Sequence, residues 1–337
     1  MWDTRHLATL QQRSRALEMF AFSKAWYLAQ ILPLPQVTAT KLERAARAFL
    51  WRGRFEHLAW DEIHGRLHEG GLAVSNVMAR GQALLAKQAC HRLAGGGRPS
   101  RHLAYWIGLK VQRALPEVGE ELDLGRGPHA EQLPDQYQDL ADLLLEVADL
   151  DCVQHLNLGW VKARLVYRAF METPPPPKVQ AKFPDIPWKI AWSRLATTGL
   201  PVEAVDVAFS AIHNILPLNT RMHKFKKLPS SACNRCGAAN EDTLHFFTAC
   251  PRVVAVWEQL HHRVATILGG PVDDRRLLMM AWPGLSMEDR HISLAIVCYI
   301  QLAWEAKDEP GDLVYGQLLA KVEAVAAIRP LRSIFSM

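Results

Sequence analysis

Three of the chain's six cysteines fall within one stretch, and that stretch limits what the surrounding chain can fold into. It runs Cys233-Asn-Arg-Cys236, then after eight intervening residues that begin with Gly237, His245-Phe-Phe-Thr-Ala-Cys250. The spacing is C-x2-C, x8, H-x4-C. Three thiolates and one imidazole complete a tetrahedral set, the arrangement of a structural zinc ion. Two cysteines three positions apart aim at one point only if the chain turns sharply beside them. Gly237 can supply that turn with a positive φ. Glu241 and Asp242 are expected in the first turn of a short helix that carries Leu244, His245 and Phe247. Cys250 would end it, and Pro251 would open the next helix. Four ligands leave no open position for substrate, so the one zinc expected here holds the fold. His213 and His223 lie upstream, and either could stand in for His245 as the fourth ligand.

The other cysteines, Cys90, Cys152 and Cys298, are isolated and expected to be buried. At 337 residues the chain is long enough for two or three domains. No apolar run reaches bilayer length; the most apolar, residues 292–304, carries Gln301. No membrane partner is expected. The opening residues lack a signal-peptide core. Together with cysteines at zinc spacing this gives an intracellular expectation, nuclear or cytoplasmic.

The net charge of +5 is unevenly spread. Residues 1–110 hold sixteen Lys/Arg against seven Asp/Glu, residues 111–155 two against eleven, and residues 156–337 twenty-one against sixteen. Two basic regions flanking an acidic one suit a nucleic-acid binder, although alternating charge on solvated helices gives the same counts. From Arg221 to Arg235 there are five Lys/Arg and no acid.

Helical periodicity dominates and strand alternation is nearly absent, so the expected class is mostly α. Helices are expected over 5–32, ended by Pro33 and Pro35, and over 37–51, stopped near Gly53. Trp60 to Leu72 is a connection. His64 and His68 there are spaced for a metal but sit among Gly65, Gly70 and Gly71, and are read as solvated or hydrogen-bonded. A helix over 76–93 stops at Gly95-Gly-Gly97, which lacks the Lys-Ser/Thr of a phosphate loop and is read as a turn. Residues 110–135 form a loose linker, followed by an acidic helix over 136–150 and a basic one over 158–170. Pro174 to Pro177 make a stiff spacer. Helices then follow over 188–195, 202–215, 252–268, 286–307 and 313–328. Three domains are expected: 1–110, basic and helical; 111–185, acidic linker and helices; 186–337, the zinc domain.

Five features, in order, resemble the C-terminal part of reverse-transcriptase proteins from non-LTR (LINE-type) retrotransposons. They are Trp2 with a basic helix; Trp26-Tyr-Leu-Ala-Gln-Ile-Leu-Pro-Leu-Pro35; Phe49-Leu-Trp51; Gly70-Gly-Leu72 before a helix; and the zinc stretch, introduced by residues 207–217 and closed by Trp257. The resemblance implies a thumb-like region at 1–110 and a reverse-transcriptase zinc-binding domain with ligands Cys233, Cys236, His245 and Cys250. It also implies RNA or DNA as partner, together with a separate polymerase palm. The family's Tyr/Phe-Ala-Asp-Asp box, which holds the catalytic metals, has no counterpart here, so no polymerase activity is expected. A nuclease would have to draw on Asp273, Asp274, Glu288 and Asp289, but Arg275-Arg276 mark an ordinary surface turn.

The residues expected to meet nucleic-acid phosphate are Lys224, Lys226, Lys227 and Arg235 beside the zinc, and Arg13, Arg15, Lys24, Arg44, Arg52 and Arg54 in the N-terminal region. Phe225 or Phe246 would stack on a base. A relic or protein-interaction scaffold that binds no nucleic acid is the competing expectation.

Overall fold

The computed structural model describes residues 9–53, 56–95, 97–111, 133–151, 158–171, 176–197, 199–283 and 289–328. Trp2, Arg54, Cys152, Glu288 and nearly all of the expected linker lie outside them. Among the described residues the chain is mostly helical and no strand occurs. The helices are α1 (Leu10–Ala16), α2 (Ser23–Ala29), α3 (Gln36–Leu50), α4 (Val77–Ala94), α5 (Gly97–Val111), α6 (Asp135–Ala148), α7 (Ala163–Phe170), α8 (Lys178–Lys182), α9 (Trp188–Leu195), α10 (Val202–Ile212), α11 (Asn219–Lys224), α12 (Pro251–Leu268), α13 (Asp274–Leu278), α14 (Asp289–Glu305) and α15 (Tyr315–Ile328).

The chain divides into two units that are not consecutive stretches: residues 1–13, 56–73 and 175–337 form one, and residues 14–55 and 74–174 the other. In the second unit, α4, α5, α6 and α7 share one core. Ala83, Ala86 and Cys90 of α4 pack with Ile107 and Val111 of α5, Leu140, Leu144 and Val147 of α6 and Val166 of α7. The three- and four-residue spacings put these side chains on one helix face each. Asn76 caps α4, its side-chain oxygen accepting from the Ala79 amide at 3.0 Å. Helix α5 was not anticipated: the glycine run hid its start, yet Leu103, Ala104, Ile107 and Val111 give it a clear apolar stripe. A π-turn over Leu17–Phe22 joins α1 to α2, where one continuous helix was expected.

The first unit is built around large aromatic side chains. Trp192, Phe209, Phe247, Trp257, Trp282 and Tyr299 are almost wholly buried. Arg194 ties α9 to the α13–α14 region. Its guanidinium donates to the carbonyls of Met280 and Trp282 and to the carboxylate of Asp289, and lies over the Trp282 ring. The Trp282 indole N–H donates to the same carboxylate. Each nitrogen of this buried cation thus has an acceptor, and its face lies on a ring, the condition for tolerating burial.

The segment 56–73 forms two short 3-10 turns, Asp61–Ile63 and Leu67–Glu69, as its glycines suggested. Gly70 has φ +85, and a Cβ there would come within 2.7 Å of the Trp192 ring. A Cβ on Gly71 would come within 2.0 Å of the Gly65 carbonyl oxygen. The Gly70-Gly71 pair therefore exists because two backbones and an indole meet there. His64 is buried against Trp60, and His68 is exposed; the two form no metal pair.

Candidate metal centre and its basic flank

The zinc stretch sits in the first unit between α11 and α12. Its knuckle is a tight turn. The Gly237 amide donates to the Cys233 carbonyl at 2.8 Å, the Cys233 amide donates to the Ala238 carbonyl at 2.8 Å, and Gly237 takes φ +78. The amides of Arg235 and Cys236 also point at the Cys233 sulfur, and the Arg252 amide at the Cys250 sulfur. Such N–H groups favour the thiolate and fix its direction, as in the outer shell of zinc sites.

The donor atoms of Cys233, Cys236, His245 and Cys250 all lie within 4.8 Å of one another. The Cys236 sulfur is 3.3 Å from His245 Nε2. Ligands about 2.0–2.3 Å from a zinc ion stand roughly 3.3–3.8 Å apart along a tetrahedron's edges, so this set fits the ion with little movement. Cys233 and Cys250 are 2% and 0% exposed. Burial pushes the Cys233 thiol up to about 12 and raises that of Cys250. A bound cation reverses this, because a coordinated thiol is deprotonated outright. Two buried thiols aimed at a third thiol and an imidazole are a donor set completed by a cation.

The alternative fourth ligands have other tasks. The His213 ring Nε2 is 2.9 Å from the Gly70 carbonyl, and burial lowers its pKa to about 4. It is a neutral donor inside the core. His223 pairs with the Leu228 carbonyl at 3.1 Å.

Glu241 is not in a helix's first turn as expected. It is buried, and its carboxylate accepts from the amides of Asn219 and Asn234. Asp242 takes the capping position, accepting from the His245 amide at 2.8 Å. The short helix that follows closes as a π-turn over His245–Ala249. Asn219 completes the link by donating its side-chain amide to the Ala232 carbonyl at 2.6 Å, and the Thr220 amide donates to the Glu241 carbonyl. These residues lock α11 to the knuckle. Sequence reasoning missed Asn219, whose only signal was a buried-type amide following Leu216-Pro-Leu218.

Lys224, Lys226 and Lys227 are all exposed and share one turn at the C-terminus of α11. That turn is a Schellman closure. The Lys227 amide donates to the Met222 carbonyl and the Lys226 amide to the His223 carbonyl, both at 2.9 Å. Lys226 takes the left-handed position, φ +56, where glycine is the usual residue. Phe225 between them is 42% exposed.

Arg235 packs against the end of α14. Its guanidinium donates to the carbonyls of Ala303 and Lys307, at the C-terminal end of α14, and lies 4.1 Å over the Phe246 ring. The helix end and the ring hold two of its three nitrogens, and Nη1 is buried without an acceptor among the described residues. Phe246, 2% exposed between Arg235 and Trp304, is closed to a base. Arg13 is half-buried near Asp206, whose carboxyl burial raises to about 6 while Arg13 pulls it back. Arg15, Lys24, Arg44 and Arg52 are exposed in the other unit. Asp273 caps α13 by accepting from the Arg276 amide, and Asp274 accepts from the Trp257 indole. The Cys3His set is the one group of three or more potential metal ligands that the described residues bring together.

No helix among the described residues is long and apolar enough to cross a membrane. Comparison with curated proteins gives no match. Residues 175–257 match the family model described as zinc-binding in reverse transcriptase, so this part of the chain, with its Cys3His cluster, is similar to a reverse-transcriptase zinc-binding region.

Proposed function

We propose that the chain is a non-catalytic RNA- or DNA-binding piece of a non-LTR retrotransposon reverse transcriptase, with one structural zinc that holds its basic turn in place. The reading takes its ancestry from the zinc-binding match and the ordered features before it. The nucleus or cytoplasm is where such a piece would meet its partners. Binding rests on one observation above all: Lys226 occupies a left-handed position between two other exposed lysines. A non-glycine residue there costs about 1 kcal/mol, and a lysine triplet on a rigid turn is what a phosphate backbone meets.

The test separates binding from stability. Lys226→Gly relieves the backbone, so it should raise the unfolding free energy by up to about 1 kcal/mol while weakening single-strand binding. Replacing Lys224, Lys226 and Lys227 with Ala should flatten the slope of log K against log salt by about 2. An unchanged slope would move the binding surface elsewhere.

The second reading is a scaffold that binds protein instead. It is favoured by the exposed apolar side chains of Met19, Tyr27, Leu28, Ile31, Leu32 and Val37 in the other unit, which a protein partner such as a polymerase palm would cover. Wild-type protein with no affinity for single strands at low salt would favour it.

A further inference from the structure

The first unit contains a cavity of about 550 Å³ beside the zinc knuckle, walled by residues 57–62, α8, the α10–α11 turn and Glu241–Asp242. That volume is in the range of sites for small organic ligands. Its lining carries four cations, Lys178, Lys182, Arg221 and Lys224, against three carboxylates, Glu62, Glu241 and Asp242. The acids on its wall are already engaged by backbone amides: Glu62 accepts from Lys178 N, Glu241 from Asn219 N and Asn234 N, and Asp242 from His245 N. None of these carboxylates pairs with a lining cation. Lys178 and Lys224 are exposed at the rim and pair with no carboxylate among the described residues. Arg221 is half-buried in the wall. Its guanidinium donates to the Asn214 carbonyl at 2.7 Å and reaches His57 Nδ1 at 3.5 Å, and no acid meets it. Burial lowers its pKa, with no neighbouring carboxylate to offset the effect. A half-buried guanidinium without an anion is a site that an anion completes. Phe225 stands at the same rim, under Arg221, with 42% of its surface open.

We propose that this cavity takes one nucleotide of a single strand, its phosphate on Arg221, Lys178 and Lys224 and its base against Phe225. The proposal rests on the nucleic-acid reading above and adds a pocket to what was an open lysine turn. Base stacking on an aromatic ring is sequence-tolerant, so the pocket would grip any strand without reading it.

The test uses the full zinc-loaded chain, a fluorescent oligouridylate and inorganic phosphate. Lys178→Glu with Lys182→Glu, on α8 and away from the lysine triplet, should weaken oligouridylate binding by about tenfold, about 1.4 kcal/mol. Arg221→Gln should do likewise, and melting temperatures should stay near wild type for the α8 variant. Oligouridylate should also protect Lys178 from acylation, read by mass spectrometry, and phosphate at the same concentration should not. If Lys226→Glu and Lys227→Glu weaken binding while the α8 variant does not and Lys178 stays reactive, the pocket is refuted and the lysine turn stands. Protection of Lys178 by phosphate equal to that by the oligonucleotide would reduce the site to a simple anion hole and overturn the nucleotide assignment. No binding by the wild-type chain would end both readings.

Discussion

Gly71 shows how much one hydrogen atom can decide. A methyl group in its place would overlap the Gly65 carbonyl at 2.0 Å, backbone against backbone, so no rotamer change relieves it. Gly71→Ala should lower the unfolding free energy by about 3 kcal/mol or more, measured by urea titration; a loss under about 1 kcal/mol would mean the 56–73 segment has room to move. His213 makes the complementary electrostatic case. Its folded pKa is lowered from 6.5 to about 4 because burial disfavours the imidazolium. Folded protein therefore binds fewer protons than unfolded protein between those values. The stability His213 contributes is complete above about pH 6.5 and is lost as pH falls towards 4. Asp206, raised from 3.8 to about 6, acts in the opposite sense over an overlapping window, so the wild-type curve alone hides the effect. The difference between wild type and His213→Gln isolates it: the gap should shrink by about 3 kcal/mol from pH 7 to pH 4. A gap independent of pH would mean the ring titrates alike in the folded and unfolded states, as a solvated imidazole does, and a gap that widens on acidification would mean the ring is charged when folded. Neither residue's task was legible in the sequence. Gly70-Gly71 stood out as a motif without a cause, and His213 as a possible metal ligand, because their partners are Gly65, Trp192 and a carbonyl far along the chain.

At the scale of the element, the zinc knuckle is the part the sequence foretold most fully. Spacing identified all four clustered residues, the turn at Gly237 and the helix opened by Pro251. The reason is that a knuckle is local: eighteen residues contain every ligand. Cys236→Ser removes the exposed ligand without disturbing packing. It should abolish stoichiometric zinc in native mass spectrometry and unfold the lobe, since a structural zinc contributes on the order of 10 kcal/mol. Native helix content and unchanged melting in that variant would show that the four side chains hold no ion the fold depends on. What surrounds the knuckle was less legible. Arg235 read as one more basic residue in a basic run. Only the arrival of α14, some seventy positions later, turns it into a cap over helix-end carbonyls. Helix α5 was missed for the opposite reason: a local signal, three glycines in a row, outweighed a stripe whose meaning depends on α4 and α6.

For the whole molecule, the order of packing is not the order of the chain. Residues 56–73 belong with 175–337, through His213 on the Gly70 carbonyl and Lys178 N on Glu62. A fragment of residues 175–337 alone would lose those partners and bare Trp192. It should bind zinc yet melt well below the full chain and emit at longer tryptophan wavelengths, and adding a 56–73 peptide should reverse both. A fragment as stable as the full chain would show the segment to be decoration. The sequence by itself determined the helical class, most helix positions and the metal-ligand set. Each of these follows from side chains within a few turns of one another, where spacing equals geometry. Only the tertiary structure decided which cations are free and which are consumed. It also decided which glycines are obligatory and which cations and acids are gathered around one cavity. Those depend on burial and on partners distant in sequence, and a one-dimensional pattern of residues records neither.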